Sequence, residues 1–167
     1  MRAVLSIGSN LDDRRALLDT VRSEFSTETR AASGVYATPP WGVVDQDEFL
    51  NAVLIVEVEQ TPLELLRRGQ ALEEAAERKR IRRWGPRTLD VDVVQVLDDT
   101  GQEVLDDDAV LTLPHPFAVQ RAFVLVPWLE ADPAARLKGV GLAELIAQLS
   151  AEDVAGVRRI GEFSLPQ

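Results

Sequence analysis

Apolar and polar positions alternate at the start of the chain. Ala3, Leu5 and Ile7 fall on one side and Val4 and Ser6 on the other, which predicts a strand over Arg2–Ile7 that ends at Gly8. After a Ser9-Asn10 turn the period changes: Leu17 or Leu18, Val21 and Phe25 recur at helical spacing and predict a helix from about Asp12 to Ser26. A second strand is expected over Thr29–Ala37, stopped by Pro39-Pro40. The clearest strand covers Phe49–Glu59, with Leu50, Ala52, Leu54, Val56 and Val58 on one face. Thr61 caps the next helix, Pro62 suits its first position and Glu64 completes a capping box. Leu65, Leu66, Gly69, Leu72 and Ala76 form that helix's inner stripe.

Gly85-Pro86 ends any helix and leads into a strand over Thr88–Leu97. Asp98-Asp99-Thr100-Gly101 reads as a hairpin turn into Gln102–Leu105, and Asp106-Asp107-Asp108 as a solvated loop. Ala122–Trp128 is an apolar strand candidate, while Leu142, Leu145, Ile146 and Leu149 mark a last amphipathic helix. Strands joined directly and strands joined by helices are mixed, so the expected class is α+β. The opening order β-α-β-β-α-β is that of a ferredoxin-like core, a largely antiparallel sheet flanked by helices. Neither a repeat nor a linker interrupts the pattern, so one domain over residues 1–167 is expected.

Composition narrows the chemistry. With 46% hydrophobic residues the chain can bury a core, and no apolar run approaches the roughly 20 residues of a membrane span. The start has no basic n-region followed by a long apolar stretch, so it reads as no signal peptide and a cytoplasmic location is expected. Zero cysteines exclude disulfides, thiolate catalysis and Cys-type metal sites, and a lone histidine excludes multi-His sites. The net charge of −10 argues against nucleic-acid or membrane-surface affinity. Against that average, Arg78, Lys79, Arg80, Arg82, Arg83 and Arg87 place six cations in ten positions, a local site for a small anion. Most of the chain's basic residues are arginine, whose planar fork matches phosphate bidentately.

Directly after that segment, Leu89-Asp90-Val91-Asp92-Val93 alternates along a strand. Asp90 and Asp92 then project from the same face, about 6.5–7 Å apart. Two carboxylates pointing together repel each other, and a divalent cation between them relieves the repulsion. Hard oxygen ligands suit Mg²⁺, which completes its shell with phosphate oxygens and water. A solvated strand face is the plain alternative, and the neighbouring cations favour the metal and phosphate reading over it. Two further readings remain open: a Mg²⁺-dependent phosphohydrolase, and a binding module in which Arg78–Arg83 meet phosphates and Trp84 stacks on a base.

Read together, Arg83-Trp84-Gly85-Pro86-Arg87-Thr88-Leu89-Asp90-Val91-Asp92-Val93-Val94 closely resembles the signature of the 6-hydroxymethyl-7,8-dihydropterin pyrophosphokinase family. Ile7-Gly8-Ser9-Asn10-Leu11, Tyr36-Ala37-Thr38-Pro39-Pro40-Trp41-Gly42, Phe49-Leu50-Asn51-Ala52, and Leu113-Pro114-His115-Pro116 through Arg121-Ala122-Phe123-Val124-Leu125 resemble it too, in the family's order and spacing. The resemblance runs from about residue 3 to 130. It implies transfer of the β,γ-pyrophosphoryl group of ATP to the pterin hydroxymethyl oxygen, with release of AMP, in folate biosynthesis. It also implies mobile substrate loops, small-molecule partners only, and a monomer.

By resemblance, Asp90 and Asp92 hold two Mg²⁺ ions, and Arg78 and Arg87 clamp phosphate; these four would be the catalytic residues. Gln70, Arg80, Thr112, His115 and Arg121 line the ATP site with Arg87, and Trp84 covers the reaction centre between ATP and pterin. Phe49 and Phe123 match the rings that sandwich the pterin, Asn51 matches the amide that reads its edge, and Thr38, Pro39 and Trp41 supply backbone groups. Without the resemblance, Phe49 and Phe123 read as core aromatics. The chain departs from the family at Val110, where some relatives carry Arg, and at Phe117, where many carry a cation. Trp41 stands in place of a smaller apolar residue, and Glu77 in place of Gly.

Overall fold

The computed structural model describes residues 1–10, 13–39, 48–78 and 89–163. Its strands are β1 (Arg2–Ser9), β2 (Thr29–Ala32), β3 (Val35–Thr38), β4 (Phe49–Glu57), β5 (Asp90–Leu97), β6 (Asp106–Asp107), β7 (Thr112–Leu113), β8 (Arg136–Leu137), β9 (Val140–Gly141) and β10 (Arg158–Gly161). Its helices are α1 (Arg14–Glu24), α2 (Pro62–Arg78), α3 (Ala122–Ala131), α4 (Leu142–Ala147) and α5 (Ala151–Ala155). The main sheet has six strands in the order β10-β3-β4-β1-β5, with β2 also paired to β4. Every pairing in it is antiparallel. With β2 and β3 counted as one interrupted strand, β1 to β5 make four strand positions, which with α1 and α2 form the ferredoxin-like arrangement the element order implied.

Two apolar layers sandwich this sheet. On one side Leu5, Ile7, Leu54, Val56, Val91 and Val93 meet Leu18, Val21 and Phe25 of the α1 segment and Leu65 of α2. On the other, Val4, Val53, Ile55 and Val94 meet Val124, Leu125 and Trp128 of α3 and Leu142 and Leu145 of α4. The expected face of β4 is therefore one of two: Val53 and Ile55 are as deeply buried as Leu54 and Val56. The capping box of α2 forms as expected, Thr61 N–H donating to Glu64 at 3.0 Å and Glu64 N–H to the Thr61 hydroxyl at 3.2 Å.

Several expectations need correction. Ala122–Trp128 is not a strand but most of α3. The helix lies between the sheet and α4, so it is apolar nearly all round and shows no helical stripe, and Pro127 inside it argued locally against helix. The expected strand over Thr29–Ala37 breaks at Ser33-Gly34, where the Ser33 hydroxyl accepts the Val53 N–H at 2.9 Å. Asp106 and Asp107 form a short exposed ladder with β7 rather than a loop. Gln102–Leu105 makes only an isolated bridge, Leu97 to Glu103, although the turn itself is formed by Asp98 accepting from Thr100 and Gln102. The β8–β9 hairpin, α5 and β10 had no counterpart in the sequence reading.

Arg68 joins the two helices of the first layer. Its guanidinium reaches Glu28 at 2.6 Å and Glu24 at 3.0 Å and lies 4.1 Å from the centre of the Phe25 ring. The hydrogen bond from Arg68 holds the Glu28 carboxyl below its ordinary value against the opposing effect of burial. Because that value is depressed on folding, its contribution is complete above the unfolded carboxyl's value and fades as pH falls through the folded one. Arg68→Ala should therefore lower stability at neutral pH by about 1–2 kcal/mol, and by less in acid. Urea denaturation at pH 7 and below pH 4 checks both the size and the sign; an equal loss at both pH values would refute the ionic origin.

Candidate functional site

Strand register assembles a polar row on the α3 side of the sheet. Asp90 pairs with Gly8, Gly8 with Asn51, and Asn51 with Tyr36. One step along, Asp92 pairs with Ser6 and Ser6 with Val53; on Asn51's other side, Phe49 pairs with Thr38. Paired residues share a sheet face and side chains alternate, so Phe49, Thr38, Asn51, Asp90 and Asp92 all belong to that one face. Neighbouring strands lie about 4.8 Å apart, which puts Asp90 and Asn51 about 10 Å apart with glycine between them. Val91 and Val93, which alternate with the aspartates, enter the opposite core.

Gly8 is the residue of this row to which the sequence reading gave no site role, having been taken as a strand end and as part of the Ile7–Leu11 motif. A Cβ built on it would lie 2.9 Å from Asn51 Oδ1, so the strand can carry the buried amide beside it only if no side chain intervenes. The signal was available in the alternation: Ser6 and Gly8 are the small positions of β1, on the face opposite Leu5 and Ile7. Asn51 is buried and its Nδ2 donates to the Thr38 hydroxyl at 3.0 Å. Gly8→Ala should displace this amide and weaken any ligand it reads by about five- to twentyfold while the fold persists. Ligand titration with a melting curve on the same sample checks this; unchanged affinity would show that Gly8 serves packing alone.

Asp92 keeps its side chain 43% exposed, with Arg121 Nη1 3.8 Å from its carboxylate. Arg121, at the N-cap of α3, lies 5.6 Å from the ring centres of both Phe117 and Phe123. His115 donates its backbone N–H to the Val94 carbonyl at 2.8 Å, and its ring Nδ1 accepts the Phe117 N–H at 3.2 Å, which assigns the ring proton to Nε2. Burial pushes the His115 imidazole below its ordinary value; the Asp92 charge opposes this and Arg121 adds to it. Glu73 of α2, also missed, accepts the Val91 N–H at 2.8 Å and so grips the backbone between the two aspartates.

The sequence-predicted residues do not all converge. Asp90, Asp92, Asn51, Phe49 and Thr38 share the sheet face, and Arg121 links Asp92 to Phe123. Pro39 follows β3 and is exposed. Thr112 lies on β7, its hydroxyl donating to the Asp108 carbonyl at 3.1 Å. Gln70 lies on α2, in the opposite layer, and accepts from Arg67 at 2.8 Å; Arg78 is the exposed last residue of the same helix. Trp41, Arg80, Trp84 and Arg87 lie outside the described residues. Among the described residues no group of three or more acidic or histidine side chains could hold a metal. A cation at Asp90 and Asp92 would take two hard carboxylates from the described residues, a donor type that suits Mg²⁺.

The sequence profile described as "7,8-dihydro-6-hydroxymethylpterin-pyrophosphokinase (HPPK)" matches residues 4–133. The 2-amino-4-hydroxy-6-hydroxymethyldihydropteridine pyrophosphokinase of Mycobacterium tuberculosis (strain ATCC 25618 / H37Rv) is 47% identical over 156 residues, covering 90% of this chain and 83% of that one. The protein of the same name from Methylorubrum extorquens is 40% identical over 163 residues, 95% of this chain and 98% of its own. That from Pseudomonas aeruginosa is 37% identical over 158 residues, 92% and 94%. Among solved structures, Plasmodium falciparum HPPK-DHPS wild type with SDX-DHP superposes with a TM-score of 0.57 at 14% identity. That match covers 88% of this chain and 43% of the longer one, a likeness of fold. Fold, motifs and relatives agree: the chain belongs to the 7,8-dihydro-6-hydroxymethylpterin-pyrophosphokinase family, whose reaction is pyrophosphoryl transfer to a hydroxymethyldihydropterin in folate biosynthesis.

Proposed function

We propose that the chain carries out this transfer as a Mg²⁺-dependent, monomeric, single-domain enzyme with ATP as donor, on the sheet face that runs from Asp92 to Phe49. The observation that carries the reading is the register of β5, β1 and β4, with two carboxylates at one end of a glycine-floored row and an amide and an aromatic ring at the other. The hydroxymethyl oxygen attacks the β-phosphorus, the bond from that phosphorus to the oxygen shared with the α-phosphate breaks, and AMP leaves. The hydroxyl proton passes to solvent. Such a transfer needs alignment and charge neutralisation more than a strong base.

Asp90 and Asp92 would hold two Mg²⁺ ions, which would supply charge neutralisation for the triphosphate. Arg78 and Arg87 would clamp the phosphates, and Gln70, Arg80, Trp84, Thr112, His115 and Arg121 would line the nucleotide site. A neutral His115 with its proton on Nε2 is a donor suited to a phosphate or ribose oxygen. Phe49 and Phe123 would sandwich the pterin, with Asn51 reading its edge and Thr38, Pro39, Trp41 and Trp84 completing the pocket. No described helix is long and apolar enough to cross a membrane, in keeping with small soluble substrates and a cytoplasmic place.

The test is AMP formation from ATP and Mg²⁺ with and without 6-hydroxymethyl-7,8-dihydropterin. Pterin-dependent AMP, lost on chelation and restored by Mg²⁺, supports the reading. ADP or inorganic phosphate released without pterin would replace it with a phosphohydrolase on the same scaffold.

A further inference from the structure

Residues beyond 133 lie outside the matched profile, yet they supply a strand of the main sheet. β10 covers the free edge of β3, with Arg158 opposite Ala37 and Arg159 opposite Tyr36. Arg159 Nε donates to Glu130 Oε2 at 2.8 Å, while Glu130 Oε1 accepts the Gly34 N–H at 2.7 Å and the Tyr36 hydroxyl at 2.8 Å. One carboxylate of α3 thus ties β3 to β10. Burial alone would raise that carboxyl, but the bonds from Gly34, Tyr36 and Arg159 hold it below its ordinary value, so it is an anion at neutral pH. The approach is close by design of sequence: a Cβ on Gly34 would lie 2.6 Å from the Gly161 carbonyl oxygen and 2.7 Å from the Arg159 guanidinium.

A second tie reaches β4. Arg158 pairs with the Glu48 carboxylate, Arg14 donates to the Glu48 carbonyl, and Arg15 donates to the Glu162 carbonyl. Glu48 immediately precedes Phe49, and Tyr36 stands opposite Asn51. The helix that carries Glu130 also carries Phe123, two turns earlier.

We propose that β10 is a positioning element for the pterin-facing edge: Arg159, through Glu130, sets β3 and α3, and Arg158, through Glu48, sets the start of β4, so that Thr38, Asn51, Phe49 and Phe123 keep their mutual spacing. This rests on the reading that those four residues contact the pterin. It gives the C-terminal segment a part in substrate affinity that acts through Glu48 and Glu130.

The test uses the full-length chain carrying Arg158→Ala with Arg159→Ala, the Arg158→Glu variant, the Arg158→Glu with Glu48→Arg charge swap, and Asn51→Ala. Pterin and ATP are varied separately in steady state, and pterin binding is also read from its own fluorescence. The expected result for the double alanine variant is a rise of about five- to tenfold in KM and Kd for pterin, with kcat and the KM for ATP within about twofold. The charge swap should recover much of what Arg158→Glu alone loses. Unchanged pterin affinity, or pterin and ATP affinities falling together with the melting temperature, would overturn the proposal and leave β10 a mere edge cover. If Asn51→Ala also leaves pterin binding intact, the underlying reading of the face fails with it. If only Asn51→Ala weakens binding, that reading stands and the role of β10 alone is refuted.

Discussion

Asp90→Ala and Asp92→Ala should each reduce AMP formation by roughly 10³-fold or more, with no loss of thermal stability. Both residues sit on β5 at the edge of the sheet and belong to neither apolar core, so their removal opens no cavity. Taking away either charge relieves the repulsion between them, which offsets the loss of weak exposed contacts such as that of Asp92 with Arg121, so the melting temperature should hold. Catalysis is different, because among the described residues no cluster of three candidate ligands backs the pair up, and each aspartate is then one of two carboxylates that face a cation there. Asp90→Asn and Asp92→Asn keep the shape and a neutral oxygen; they should fall nearly as far and raise the Mg²⁺ needed for half-maximal rate. AMP production across a Mg²⁺ titration, with Mn²⁺ binding followed by electron paramagnetic resonance, checks both. Activity within tenfold of wild type in either alanine variant would remove the aspartates from the reaction.

Asn51→Asp should lower kcat/KM for the pterin by about 10²-fold and leave the KM for ATP nearly unchanged. The substitution keeps the volume and the acceptor at this buried position but replaces the NH₂ donor, which reaches the Thr38 hydroxyl at 3.0 Å. Thr38 can turn its own proton toward a carboxylate, so the local bond survives while the donor available to a heterocycle is lost. Burial also makes the new carboxylate costly, so a stability loss of about 1–3 kcal/mol is expected and must be separated from the affinity loss. Pterin fluorescence titration below the melting transition does that. An Asn51→Asp protein that binds pterin normally would show that the edge is read elsewhere.

Much of the fold could be read locally. The strands β1 and β4, the Thr61–Glu64 capping box and the change of period between them appear where the pattern put them, because each depends on neighbours in sequence. The failures share a cause. α3 is buried between β4 and α4, so its sequence lacks the polar stripe that marks a helix, and Pro127 adds a misleading local signal. Ser33 and Gly34 split the second strand because Ser33 turns its hydroxyl to a strand 20 residues away and Gly34 meets β10 at Arg159 and Gly161, far downstream in the chain. The last residues were silent for the same reason: Arg158 and Arg159 look like ordinary surface cations until Glu48 and Glu130 are beside them.

By itself, the sequence determined the chemistry on offer. It holds no thiol and one imidazole, and it sets two aspartates at strand spacing behind a dense run of arginines, in motifs specific enough to point to one family. Only the tertiary structure decided that the two aspartates share a sheet face with the buried amide. Asp90, Gly8 and Asn51 come from strands separated by more than forty and nearly forty residues, and they align solely because β1 pairs with both β4 and β5 in one register. A slip of one residue in either ladder would send the aspartates or the amide into the opposite core. Local pattern specifies which way each strand's side chains alternate; the burial of two apolar layers at once selects the register that brings the polar positions onto one floor.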